Sequence, residues 1–273
     1  MPTRILALPL VILVLVFLFL TWEVSEGYSV YIVPPVLALA LLYVFSPQID
    51  WWWYSRHPPK LDPKIELLFQ KQHGFYQSLS VEKKQLFRDR VALYIRAVEF
   101  MPKAMEEVTE DIQSMLASCA VQLTLNREDF LLPQFENVVV YPHPFPSPQF
   151  PKQFHASEIF AEDGVLLFSA DHLIKGFMQP QHYYHVGLHE YAKVFILHHP
   201  EIEWPALKED IWADLESISR FSHEALLKYV NLEEIDPRPV SIAHFFVFPQ
   251  KFKAVLPEIA QAYAEIFGWE IDV

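Results

Sequence analysis

The sequence predicts an α+β protein, mostly helical, with two transmembrane helices in front of its folded domain. Three observations support this fold class. Two long hydrophobic runs without a charged residue lie near the N-terminus. Behind them, several segments repeat apolar residues at helical spacing, whereas only two short segments have the composition of strands. The roughly 210 residues after position 60 are enough for one domain with a packed core.

The first hydrophobic run extends from Ile5 to Leu20, and with its flanks it covers about residues 5–22. About 18 residues at 1.5 Å per residue span roughly 27 Å, which is close to the thickness of a bilayer core. A cleaved signal peptide is the alternative interpretation. However, the residues from Thr21 to Val24 do not offer the small side chains of a cleavage site. We therefore expect a retained transmembrane helix.

The second run, from Tyr28 to Phe45, also lacks charged residues. Only Glu23 to Gly27 separates the two runs, so we expect an antiparallel pair. Arg4 precedes the pair and Arg56 follows it, while the connection contains no Lys or Arg. Basic flanks favour the cytoplasmic side of a membrane. The sequence thus predicts a protein of the inner (cytoplasmic) membrane whose soluble domain faces the cytoplasm.

An aromatic segment, Trp-Trp-Trp-Tyr at positions 51–54, follows the second run. Aromatic side chains with a polar edge favour the headgroup layer of a bilayer, so this segment is expected to lie at the interface. We accordingly divide the chain into a membrane anchor, residues 1–60, and a soluble domain, residues 61–273.

The soluble part is acidic, because the whole chain carries a formal net charge of −13 and the anchor contributes equal numbers of acids and bases. An acidic domain without a cluster of Lys and Arg argues against binding of nucleic acid. Cys119 is the only cysteine, which excludes an intrachain disulfide and fits a reducing compartment. Its apolar neighbours at helical spacing predict a core position.

Local signals predict the elements of the soluble domain in order. Ser80 can cap a helix, and acidic residues at positions 106–111 favour the first turns of the next helix. The proline-rich segment from Tyr141 to Phe154 cannot be helical. The expected elements are a helix after Ser80, a helix over about 103–123, a strand at 137–141, a strand at 164–170, a helix over about 181–198, a long helix over 205–230, and two C-terminal helices divided by Pro249.

The helix over 181–198 contains the one motif that indicates catalysis. Residues 189–193 read His-Glu-Tyr-Ala-Lys, one residue away from the zinc-peptidase pattern H-E-x-x-H. In that pattern two histidines four residues apart bind one zinc ion, and the glutamate acts as general base. Alone, H-E-x-x-K is a weak signal.

The order of short motifs resembles the MtfA family of glucose-regulated zinc metallopeptidases. The resembling pieces are Val140-Tyr141-Pro142, the segment from Gly164 to Ser169, Leu188 to Ala192, Phe245 to Pro249, and a closing helix from Phe252 to Phe267. They cover about residues 80–268. The resemblance implies a zincin-like metallopeptidase domain with a small sheet. It also implies His189 as the first zinc ligand and Glu190 as the general base.

Two positions depart from the family pattern. Lys193 takes the place of the second ligand, and Ala243 takes the place of the family's third ligand, a glutamate. Deprotonating a lysine from its ordinary pKa near 10.4 would cost roughly 4.6 kcal/mol at pH 7 before any metal bond formed. A methyl group cannot ligate. We therefore expect no zinc centre of the family type and a catalytically degenerate domain.

Lys193 lies three residues after Glu190, a spacing that allows an ion pair on one helix. We hypothesise that its ammonium group replaces the positive charge of the metal. A substitute metal site is the alternative, because His185 and His189 are also four residues apart. His244 or Glu201 could complete it, and His182, His198 and His199 lie nearby in sequence. His155 is a further candidate for the cleft.

Two functions follow from these observations. The first is a membrane-tethered pseudoenzyme that binds a protein or peptide partner in a regulatory role, with the strand at 164–169 pairing with an extended chain. The resemblance supports this function, since it implies a family whose namesake captures a transcriptional repressor. The second is a working zinc metallopeptidase that uses His189, non-standard ligands and Glu190 as base. Zinc is the expected cofactor only in the second case.

Overall fold

The structure is a computed structural model that describes residues 2–147, 149 and 151–271. Pro148 and Phe150 of the proline-rich segment lie outside the described residues. The chain divides into two compact units, Met1–Pro59 and Lys60–Val273. The boundary is one residue from the one expected, and each unit is described by itself.

The first unit consists of helices. They are α1 (Pro2–Glu23), a 3₁₀ helix (Glu26–Ile32), α2 (Val33–Val44) and α3 (Ser46–Arg56). By length and composition, Pro2–Glu23 and Glu26–Val44 are each able to cross a membrane. The two expected apolar helices are therefore present. The second begins as a 3₁₀ helix because Pro34 and Pro35 lack the amide hydrogens that an uninterrupted α-helix would need.

The aromatic segment at 51–54 belongs to α3. The start of α1 is hydrogen-bonded to this helix: the amide nitrogen of Thr3 donates to Oδ1 of Asp50 over 3.0 Å. The hydroxyl of Thr3 lies 3.1 Å from both carboxylate oxygens of the same residue. The two ends of the anchor are thus joined to each other.

The second unit combines eleven helices and four strands in the described residues. In chain order they are α4 (Pro63–Gln72), α5 (Gly74–Ser78), α6 (Val81–Ala97), β1 (Glu99–Pro102), α7 (Glu110–Thr124), β2 (Asn137–Tyr141), β3 (Ser157–Phe160), β4 (Val165–Ser169), α8 (Ala170–Met178), α9 (Val186–His198), α10 (Ile211–Ser219), α11 (His223–Val230), α12 (Pro237–Val247), α13 (Pro249–Val255) and α14 (Pro257–Phe267). The predicted class, mostly helical with a small sheet, is confirmed.

Several predicted boundaries were wrong. The helix expected from residue 103 begins at Glu110, and the strands β1 and β3 were not expected at all. The single helix expected over 205–230 is two helices, because Arg220 adopts a left-handed conformation with φ of 67° and Ser222 caps a new helix. The C-terminal part has three helices rather than two, since Pro257 starts a further one.

The four strands form one sheet in the order β1-β2-β4-β3. Neighbours β1, β2 and β4 are parallel, whereas β3 is antiparallel to β4. The strand from Gly164 to Ser169, which we expected to accept an extended partner, is β4 and lies inside the sheet. That expectation was wrong, and the edge beside β4 belongs to β3.

Helix α9 lies inside the second unit, packed against α7, α12 and β3. Gly187 allows this close packing: a Cβ atom there would come 2.8 Å from Cδ1 of Leu173 and 3.1 Å from Sγ of Cys119. Cys119 is buried on the facing helix, as its spacing predicted. Most of α9 is therefore removed from solvent, which places the H-E-x-x-K residues in the interior.

Candidate functional site

The H-E-x-x-K residues lie in the first half of α9, beside β3. His185 caps the helix, because its Nδ1 accepts a hydrogen bond of 3.2 Å from the amide of Leu188. His189 and Glu190 follow in the first turns, with 4% and 1% of their surfaces exposed. A carboxylate so deeply buried requires partners, since an unpaired buried charge is strongly unfavourable.

Glu190 has two such partners. The hydroxyl of Ser157, on β3, donates to Oε1 over 2.8 Å. The ammonium nitrogen of Lys193 lies 2.8 Å from Oε2, so the ion pair expected from the spacing is present. Burial acts to raise the pKa of Glu190, but the positive charge of Lys193 and the contribution of His189 outweigh it and lower the pKa. The carboxylate is therefore ionised and held in place at neutral pH.

His189 is held from its other side. Its Nδ1 and the hydroxyl of Tyr184 share a hydrogen bond of 2.7 Å. Burial lowers the pKa of this imidazole to about 4, and the neighbouring Glu190 only partly opposes the shift. His189 is consequently neutral at pH 7, so it has one nitrogen lone pair, as a metal ligand requires.

The two positions at which the resemblance implies further zinc ligands hold Lys193 and Ala243, and neither side chain is a donor of the family type. Lys193 is in the ion pair, with 28% of its side chain exposed, and Ala243 is buried in α12. Within the described residues, three or more His, Cys, Asp or Glu donor atoms converge at one place, Asp129 with His198 and His199, and that place does not include His189. The residues present do not fit a zinc ion held as the resemblance implies.

His244, next to Ala243 on α12, is a substitute candidate that shares a neighbour, Tyr184, with His189 in the centre formed by His189, Glu190 and Lys193. It is buried with 1% exposed, and neither of its ring nitrogens has a hydrogen-bond partner. Its ring lies 6.3 Å from that of Tyr184, which also contacts His189. Burial, and then the proximity of His189, lower its pKa to about 3. Two imidazoles thus face the centre, one fewer than the three protein ligands of a catalytic zinc site.

The remaining histidines considered from the sequence lie elsewhere. His185 lines a cavity of about 240 Å³ together with His73, and its ring packs against Phe177. His155 is buried beside β3, with Nε2 2.8 Å from Oε2 of Glu158. His182 is exposed. The combination of His185 with His189, proposed as a substitute metal site, therefore has no support from the described contacts.

Sequence reasoning did not find two residues that contact the buried centre of His189 and Glu190. Ser157 comes from a strand more than 30 positions before Glu190, and Tyr184 precedes the helix by two residues. No motif marks either of them. The only available signal was physical: a buried carboxylate and a buried imidazole each require a hydrogen-bonding neighbour, without indicating which residue supplies it.

A family model described as glucose-regulated metallo-peptidase M90 matches residues 50–195. The match covers slightly more than half of the chain. It starts in α3, earlier than the resemblance from motifs suggested, and it includes the aromatic segment at 51–54. It ends within α9, after Lys193 and before the helix that contains Ala243. No curated protein matches the chain.

Proposed function

The chain belongs to the glucose-regulated metallopeptidase family M90, and on this premise we propose that it is a membrane-anchored, non-catalytic member that binds an extended segment of another protein. Three parts make up the proposal: loss of the zinc centre, a peptide-binding strand, and attachment to the membrane. Each part has its own support in the residues described above.

The ion pair between Lys193 and Glu190 is the observation on which the loss of catalysis depends. A family general base must take a proton from a metal-bound water. Here Glu190 instead faces an ammonium nitrogen 2.8 Å away. That ion-pair contact is at Oε2, and the hydrogen bond from Ser157 is at Oε1. The base is therefore engaged by protein groups, and the cationic Lys193 would repel a divalent ion at the same place.

Strand β3 supports the binding of an extended chain. It is the edge strand next to α9, and no further strand pairs with its outer side in the part of the chain that the structure describes. In an antiparallel pair, alternate residues direct their backbone groups toward the neighbouring strand. The amide of Ser169 donates a hydrogen bond to the carbonyl of Ala156, so the residues between the bonded ones, Ser157 and Ile159, direct their backbone groups away from β4. Ser157 is buried, whereas Ile159 is partly exposed, so the outward backbone groups of Ile159 are those to which a peptide can add as a strand.

The two apolar helices of the first unit support membrane attachment. The basic residues at positions 4, 56, 60 and 64 favour a cytoplasmic location of the second unit. Its acidic charge makes a nucleic-acid partner unfavourable. The partner is accordingly a cytoplasmic protein, or a membrane protein with an extended cytoplasmic segment.

An active zinc peptidase is the second candidate, and His244 is the observation that favours it. Its two unpartnered nitrogens lie beside His189, and the family suggests zinc. In this case His189 and His244 would hold the ion, with Glu190 as base. A third protein ligand is lacking among the described residues, which is why we prefer the binding function.

A hydrolysis assay separates the two candidates. The full chain in detergent is incubated with unfolded casein and excess zinc, beside the variants Glu190→Gln and Lys193→His/Ala243→Glu. We expect the wild-type chain and Glu190→Gln to give the same background rate. The double variant, which restores the family ligands, is expected to hydrolyse casein faster. Wild-type hydrolysis that Glu190→Gln abolishes would contradict the proposal.

Binding is tested with random twelve-residue peptides selected on the immobilised full chain. Proline at position 159 removes an outward amide hydrogen while leaving the bonds to β4 intact. We expect Ile159→Pro to lower the affinity for the selected peptides about tenfold or more, because a peptide that adds as a strand loses one backbone hydrogen bond and one close contact. Ile159→Ala, which keeps the amide, is the matched control. Equal affinities for the two variants would exclude binding at β3.

A further inference from the structure

The C-terminal end of α9 contains a second group of polar residues, which begins five positions after Lys193. His198 is the last residue of the helix and His199 follows it. Asp129 reaches them from the connection between α7 and β2. One donor atom from each of the three residues lies within 4.8 Å of the others. Small side-chain rotations would bring all three atoms onto a single zinc ion, whose ligands at about 2.1 Å lie less than about 4.2 Å apart.

Two of the ring nitrogens in this group have no partner. His198 Nδ1 and His199 Nε2 are buried, and no protein atom forms a hydrogen bond with either. His199 has only 2% of its surface exposed. Folded proteins satisfy nearly all buried polar atoms, so two unsatisfied nitrogens on adjacent residues require an explanation. A ligand that accepts both lone pairs supplies one.

The packing holds the two imidazoles in place. The ring of His199 lies 4.6 Å from that of Phe195, one turn earlier in α9. The rings of His198 and His199 are 4.8 Å apart and nearly perpendicular, at 79°. The other nitrogen of His199, Nδ1, lies 3.1 Å from Oε1 of Glu201. A carboxylate in this position fixes the tautomer and orientation of a metal-bound imidazole.

The charges near the group permit a divalent cation. Asp129 and Glu201 are acidic, and Arg127 is the nearby base, with Nε 3.3 Å from Oδ1 of Asp129 and Nη2 3.6 Å from Oε1 of Glu201. The two acids exceed the one base. A carboxylate also has two oxygens, so the contact with Arg127 leaves the second oxygen of Asp129 for a ligand.

We propose that Asp129, His198 and His199 form a structural zinc site that joins the α7–β2 connection to the end of α9. Two imidazoles and one carboxylate are a donor set that suits zinc and other late first-row divalent ions, and hard cations such as magnesium much less. Water completes four-coordination, since Glu201 is engaged by Nδ1 of His199. The site is independent of the proposed function, because its residues do not touch His189, Glu190 or Lys193.

The test is a titration of the metal-free full chain in detergent with Zn²⁺ by calorimetry, and with Co²⁺ by visible absorption. We expect one zinc ion per chain and a tetrahedral cobalt spectrum. Asp129→Asn and His198→Gln are each expected to weaken zinc binding at least about tenfold. Both side chains are at least partly exposed, so the variants should fold, which a thermal melt of the metal-free proteins verifies.

His189→Gln is the matched control, since it removes the imidazole of the H-E-x-x-K centre and leaves the end of the helix intact. We expect it to bind zinc as the wild-type chain does. Three results would overturn the site: no saturable zinc binding, binding that neither Asp129→Asn nor His198→Gln weakens, or binding that His189→Gln abolishes. The last result would in addition oppose the proposed function, whereas the first two would leave it standing.

Discussion

The two halves of α9 contain similar residues in different states. In the first half, His189 and Glu190 are bound by Tyr184, Ser157 and Lys193, all groups of the protein itself. At the C-terminal end, His198 and His199 each retain a buried nitrogen without a partner. The comparison teaches that burial alone does not show what a histidine or a glutamate does. The partners that the protein itself supplies must be known as well, because a metal ion must compete with every one of them.

Lowering the pH is expected to have the largest effect on the free energy of unfolding, through the buried histidines in and around the first half of α9. Burial holds the pKa values of His189, His244 and His73 at about 4, 3 and 3. Their ordinary value is 6.5, so between pH 6.5 and 4 the unfolded chain binds more protons than the folded chain. The free energy of unfolding that these neutral histidines contribute is therefore fully present above pH 6.5. It falls as the pH decreases toward 4, by roughly 3 kcal/mol for each histidine.

Chemical unfolding of the full chain in detergent, measured at pH 7.5, 6, 5 and 4, tests this expectation. Glu190 acts in the same direction, because its lowered pKa gives stability that is lost below the ordinary carboxyl range. A free energy of unfolding that stays constant from pH 7.5 to 4.5 would show that these imidazoles are not buried in the neutral form.

Lys193→Ala is expected to have the next largest effect. It leaves the buried carboxylate of Glu190 without its counter-charge, which should destabilise the fold by about 3 kcal/mol. The matched control is Lys208→Ala, which breaks an ion pair of 3.8 Å with Asp214 whose lysine is 68% exposed. An exposed pair contributes less than about 1 kcal/mol. Thermal melts of both variants at pH 7.5 provide the comparison.

The double variant Glu190→Gln/Lys193→Met distinguishes the contribution of the ion pair to stability from that of side-chain packing. If the pair replaces the charge of a metal, removing both charges should cost less than removing the lysine alone. Equal stability of wild type and Lys193→Ala would eliminate the charge-replacement hypothesis and weaken the contrast between the two halves of α9.

His244→Leu is expected to have the smallest effect and the opposite sign. Its two unpartnered nitrogens cost free energy, so an apolar side chain of similar size should stabilise the fold by about 1 kcal/mol at pH 7. The gain should increase at pH 5, where His244 no longer contributes to acid sensitivity. Tyr263→Phe is the control, since it removes a hydroxyl that does have a partner, Ser241. Destabilisation by His244→Leu would indicate a bound group on this imidazole and favour the second candidate function.

The elements that the sequence predicted correctly are those with strong local patterns. The two apolar runs, the helix capped by Ser80, the strands at 137–141 and 165–169 and the central helix all depend on residues close together in the chain. Strands β1 and β3 were missed because each has four residues and a burial pattern without alternation. The helix boundaries at 103 and 205–230 were wrong because Thr109 and Ser222 start helices that apolar spacing alone does not delimit.

The sequence by itself determined that the chain carries His189, Glu190 and Lys193 on one helix face and an alanine at position 243. Helical spacing alone places these residues relative to one another. Only the tertiary structure decided what surrounds them: Ser157 from the edge strand, Tyr184 from the preceding turn, and Asp129 beside two histidines nearly seventy positions later. Such neighbours result from packing between distant segments, and packing depends on the shape of the whole core rather than on any local pattern.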